Sequence, residues 1–99
     1  FKISGAAAYS WLVGFGSQLN LDTSTITYSA SVAYSQSNCY AQHFGFINLA
    51  AVTFTLGGNT ITGKRYTCYG VCSINTNNAG ASFVPGDVAG TAVGGGTYY

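Results

Sequence analysis

"STITYSASVAYSQS", residues 24–37, is two sequences interleaved. Ile26, Tyr28, Ala30, Val32 and Tyr34 form one set. Thr25, Thr27, Ser29, Ser31 and Ser35 form the other, with Ala33 the one exception. A period of two is that of a β-strand, whose successive side chains point to opposite faces. One face requires a core. The other carries small hydroxyls and no charge.

The same alternation fills the N-terminus, "FKISGAAAYSWLVGFG". Phe1, Ile3, Tyr9, Trp11, Val13 and Phe15 occupy its odd positions. Read as one strand, it would be ~50 Å long at about 3.3 Å per residue. That exceeds the usual strand, so it bends at Gly5 or Gly14, or part of it leaves the domain. "AAAYSWL" is compatible with a helical turn or two. A strand is preferred, because no cap precedes it and glycines flank it.

"GSQLNLD" (16–22) reads as a connection or short strand, and "SQSNCYAQHFG" (35–45) as a loop. "FINLAAVTFTL" (46–56) is apolar on both alternating sets, as in a strand covered on both sides. "GGN" (57–59) signals a hairpin, with "TITGKRYTCYG" (60–70) as the returning strand. "VCSI" (71–74) reads as a short strand and "NTNNAG" (75–80) as a turn. Pro85-Gly86 marks another turn, and Val88, Ala92 and Val93 suit one more strand. Gly94–Gly96 reads as flexible, and Tyr98 and Tyr99 give the tail (94–99) a means of docking. No exact repeat is visible. The expected fold is all-β: one domain over residues 1–99, a small antiparallel β-sandwich or barrel with a long N-terminal strand.

Charge separates this chain from ordinary domains. Lys2, Lys64, Arg65, Asp22 and Asp87 make up only 5% of the residues, against about 25% in typical globular proteins. Nucleic acid is not an expected partner, since phosphate binding needs clustered Lys or Arg. No run approaches the ~20 apolar residues of a membrane-spanning helix. Little charge also means little repulsion between copies. No Met occurs, which reads as removal of an N-terminal signal or pro-segment. Three Cys in such a chain point to an oxidising, extracellular setting.

The strongest chemical constellation is Cys39-x3-His43 with Cys68-x3-Cys72. Three Cys and one His form a legitimate zinc set. However, x3 is less typical than x2 between thiols, and an oxidising setting favours a disulfide, so no metal or cofactor is expected. Cys68–Cys72 could close a tight "CYGVC" loop, Gly70 allowing the turn, although the Cα atoms must lie within about 7 Å and a straight strand across five residues would violate that. Pairing of Cys39 with Cys68 or Cys72 closes a longer loop and is slightly favoured. Either way one Cys is left, to link subunits or to be buried.

Enzyme chemistry is not expected. Acid–base work has only Asp22, Asp87 and His43 to draw on. Both Asp residues read as turn formers, and no G-x-S-x-G elbow is present.

The uncharged alternating segments do little to prevent edge pairing. The expected function is therefore an extracellular, self-assembling structural subunit, a filament, pilus-like fibre or coat built by β-strand addition between copies. Residues 1–15 are the candidate exchanged strand. The candidate interface residues are Phe1, Ile3, Tyr9, Trp11, Val13, Phe15, Tyr98 and Tyr99. The alternative is a carbohydrate- or surface-binding β-module using exposed Tyr and the Ser/Thr face, with an extracellular glycan as partner. In organisation, though in no motif, the first reading resembles donor-strand filament subunits of microbial surfaces.

Overall fold

The structure is a computed structural model describing residues 1–99. The chain winds in successive coils, in the manner of a β-solenoid. The first coil carries β1 (Lys2–Ile3), β2 (Trp11–Val13) and β3 (Gln18–Asn20). The second carries β4 (Thr25–Tyr28), β5 (Val32–Gln42) and β6 (Phe46–Asn48). The third carries β7 (Thr53–Thr55), β8 (Ile61–Tyr69) and β9 (Ser73–Asn75), and the last β10 (Thr91–Val93) and β11 (Thr97–Tyr98).

Equivalent strands stack into three sheets, ordered β1-β4-β7, β10-β8-β5-β2 and β11-β9-β6-β3. Every pairing is parallel. The expected antiparallel sandwich or barrel is thereby overturned. Alternation reports only which residues face inward, and it reads the same in either pairing direction.

The long expected strands are broken for the same reason. Residues 1–15 hold only β1 and β2, joined by a segment that meets the second coil at an isolated bridge, Ala7 opposite Tyr34. The segment 24–37 divides between β4 and β5, and the expected loop at 35–45 lies mostly inside β5. The segment 46–56 divides into β6 and β7, with Leu49 and Val52 buried at the corner between them. Its two apolar sets are thus a strand pattern whose phase shifts at a corner. Gly57-Gly58-Asn59 turns the chain into the next sheet rather than into a hairpin. Asn59 Nδ2 fixes that turn by donating to the Tyr28 and Leu56 carbonyls.

The coil repeat is visible in the register. Trp11 lies opposite Cys39 one coil on, and Cys39 opposite Tyr66 one coil further. Thr67 in turn lies opposite Thr91 of the last coil. Inward side chains therefore form columns along the axis. Leu19, Ile47, Ile74 and Tyr98 make one, and Val13, Ala41, Cys68 and Ala92 another. Ile26, Ile47, Leu49, Ile74 and Val84 are fully buried.

One corner is held by an asparagine ladder. Asn20, Asn48 and Asn75 stand in register. Asn48 Nδ2 donates to Asn20 Oδ1 (3.0 Å), and Asn75 Nδ2 to Asn48 Oδ1 (3.1 Å). Each Oδ1 also accepts the backbone N–H two residues on, from Asp22, Ala50 and Asn77. Such Asx turns are a local preference of Asn. Just beyond each turn, Thr23, Ala51 and Asn78 adopt positive φ.

β5 and β8 lose register between Ala33 and Ser37. Gly63 makes this possible: its φ is +101°, and a Cβ there would lie 2.4 Å from the Tyr34 carbonyl oxygen. Gly63 N–H donates to Asp87 Oδ1 at 2.7 Å, which is what holds the Pro-Gly-Asp turn.

Candidate functional site

The sheets have no β-strand beyond β1, β2 and β3 at one end of the solenoid. At the other end β7, β10 and β11 are outermost. Each such strand keeps one row of backbone N–H and C=O groups without a ladder partner, which is a template for another strand. The interface residues named from sequence divide between these two ends. Phe1, Ile3, Tyr9, Trp11, Val13 and Phe15 lie in the first coil, and Tyr98 and Tyr99 in the last.

At the first end, Phe1 is 68% exposed, while Ile3 and Trp11 are half-buried against the core. Val13 is buried. Tyr9 meets Tyr40 edge-on at 5.3 Å. Two clefts open here. One of about 340 Å³ is lined by Phe1, Ile3, Tyr9, Trp11 and Tyr34, and one of about 600 Å³ runs from Ser10 to Leu19. The only charged side chain lining either cleft is Lys2.

At the other end the tail is ordered into the fold. Tyr98 stacks on Tyr66 with ring centroids 3.7 Å apart, and its hydroxyl donates to the Gly80 carbonyl at 2.8 Å. Burial pushes the Tyr98 phenol up to about 12. The Tyr99 carbonyl oxygen accepts from the Thr76 N–H and hydroxyl. Ala92, the last residue of its inward column, is exposed. Arg65 donates to the carbonyls of Ser82 and Val84.

The hydroxyl face is real and external. Thr25 lies opposite Thr53, and Thr27 opposite Thr55. Ile26 and Tyr28 point inward from the same strand. The tyrosines do not gather beside it. Tyr28, Tyr34 and Tyr66 are buried, and the exposed Tyr69 belongs to the sheet of β8.

The sulfur chemistry differs from the favoured expectation. Cys68 bonds Cys72, with Cα atoms 6.2 Å apart. The chain between them is no straight strand, because it turns the corner at Gly70, whose φ is +75°. Cys39 is free and fully buried, so it offers no link between subunits. Burial pushes its thiol up to about 12. With two sulfurs bonded together, Cys39, His43, Cys68 and Cys72 do not assemble as a metal set. His43 is exposed and stacks on Phe15 at 5.4 Å.

Sequence reasoning missed the core polar chain. Asn38 Nδ2 donates to Tyr28 Oη (2.7 Å) and to the Pro85 carbonyl (3.0 Å). Tyr34 Oη donates to Tyr28 Oη and meets Ser10 Oγ. Burial raises both phenols above their ordinary value. "QSN" inside an otherwise alternating run was the available signal. No helix of the protein is long and apolar enough to cross a membrane. Compared with family models, curated proteins and solved structures, the chain matches none.

Proposed function

We propose that the protein is an extracellular structural subunit that adds to copies of itself end to end. The observation that carries this reading is the pair of open ends. All pairings are parallel, so one end offers β1, β2 and β3 and the other β7, β10 and β11, with the same strand polarity. Joining unlike ends is a head-to-tail contact, and such contacts grow into open filaments when the rotation does not close. Extrapolated by one coil, Ala92 of one copy would sit over Val13 of the next, and Tyr98 over Leu19. The bond is β-strand addition, made between coil edges rather than by an exchanged N-terminal segment. The low charge of the whole chain, 5% of residues, leaves little repulsion between copies. The Cys68–Cys72 disulfide accords with an oxidising location.

The test is negative-stain electron microscopy with sedimentation velocity, with and without reductant, on the native chain and on Ala92→Lys. Regular filaments that survive reductant are expected, and Ala92→Lys should abolish them by placing a charge in the growing core. A native protein that sediments as a single chain of 10.2 kDa, or filaments undisturbed by the lysine, would overturn the reading.

The threonine columns favour one second reading, a glycan-binding face on the outside of the β4–β7 sheet. It predicts a monomer whose oligosaccharide binding falls at least tenfold in Thr25→Val/Thr53→Val.

A further inference from the structure

The corner that follows β2, β5, β8 and β10 carries an exposed apolar stripe along the solenoid axis. Here the chain turns through positive φ in every coil: Phe15 and Gly16, His43 and Phe44, Gly70, then Gly94 and Gly95. Glycine is the residue this conformation asks for, since an L side chain there is strained. Asn and Asp tolerate it and Phe does not. Yet Phe15 holds φ 55° and Phe44 φ 67°. Their rings gain little within the chain, because Phe15 is 80% and Phe44 70% exposed.

Neighbouring positions extend the stripe. Gln42, Tyr69 and Val93 stand in register on the outer side of the same corner. Phe15 stacks on His43, and His43 meets Tyr69 edge-on at 5.6 Å. Phe44 N–H donates to the Val71 carbonyl, which sets their side chains on adjacent coils. Val71, Tyr69, Val93 and the adjoining Leu12 are each about half exposed. No Lys, Arg, Asp or Glu interrupts the series.

We propose that this stripe is a lateral contact with a second copy of the chain lying side by side. The pairing of backbone strain with exposed rings needs an external offset, and contiguous apolar patches of this kind mark interaction sites. A straight stripe crossing every coil matches a parallel solenoid better than a globular partner. The six apolar side chains present roughly 500 Å² per copy. Two copies would bury about 1,000 Å², the size at which specific association begins. This contact runs across the axis and uses outward side chains, whereas the end-to-end contact uses the backbone edges of the end strands and the inward Ala92 and Tyr98, so either can fail alone.

The experiment is sedimentation velocity on Ala92→Lys, whose ends are blocked, against Ala92→Lys carrying F15G and F44G. Glycine keeps both turns and removes both rings. The first protein should sediment as a dimer or small closed oligomer. The second should be a folded monomer, with its association constant lowered at least 100-fold. A monomeric Ala92→Lys, or an oligomer that persists without the rings, would overturn the proposal. A second measurement uses the otherwise native chain: V93C on the stripe should oxidise to a linked dimer at least tenfold faster than T53C on the β4–β7 face. Equal rates would also overturn it.

Discussion

At the scale of single residues, the fold depends on side chains that serve two neighbours at once. Asn48 is the clearest. Its Nδ2 reaches down to Asn20, and its Oδ1 receives both Asn75 Nδ2 and the Ala50 N–H. A hydrogen bond nets about 1 kcal/mol, and a half-buried group left unpaired costs somewhat more. Asn48→Ala should therefore lower the unfolding free energy by about 2–3 kcal/mol in urea melts. Asn20→Ala ends the ladder rather than interrupting it, and should cost about half as much. Phe15 and Phe44 are the counter-case, residues whose local conformation works against them.

At the scale of elements, the corners rather than the strands define the coils. The corner from Cys68 to Cys72 combines a disulfide with Gly70 at positive φ. The bridge joins residues close in the chain, and a loop that short restrains the unfolded chain by about 2 kcal/mol. Reduction should lower stability by no more than that, with the strand signature in circular dichroism unchanged. Cys39 lies between β2 and β8 and is fully buried. In the folded, oxidised protein it should resist alkylation, and one thiol should become reactive only in denaturant. A native thiol that labels rapidly would contradict this corner and this core.

At the scale of the whole molecule, the buried acids make stability depend on alkaline pH. Cys39 is raised from 9.0 to about 12 and Tyr98 from 10.0 to about 12, while Tyr28 and Tyr34 are also raised by burial. A raised acid keeps its proton in the folded state after the unfolded chain has lost it. Stability is thus full below about pH 9 and falls as pH rises through the window to about 12. Each group that titrates only in the unfolded chain contributes a slope of about 1.4 kcal/mol per pH unit. The melting temperature should be flat between pH 6 and 8 and fall from pH 9. Cys39→Ala should delay the onset toward pH 10, where the tyrosines begin.

Sidedness was legible in the residues alone. Ile26 and Tyr28 turn inward and Thr25 and Thr27 outward because adjacent side chains on a strand must diverge. The all-β class and the turn roles of Asp22 and Asp87 were legible in the same way. The Asn-Leu and Asn-Thr pairs at 20, 48 and 75 were a readable sign of the coil that a search for exact repeats passes over. The direction of pairing and the breaks in the long runs came from tertiary packing. Phe15, His43 and Phe44 take positive φ without being glycine and with no Asx turn before them, so no local preference announced their corners. The Cys68–Cys72 bond followed from the corner at Gly70, a glycine the residues did offer, once tertiary packing placed that corner there. The two ends became candidate assembly surfaces only once the coils stacked, because an open edge is a property of the sheet and no single strand possesses it.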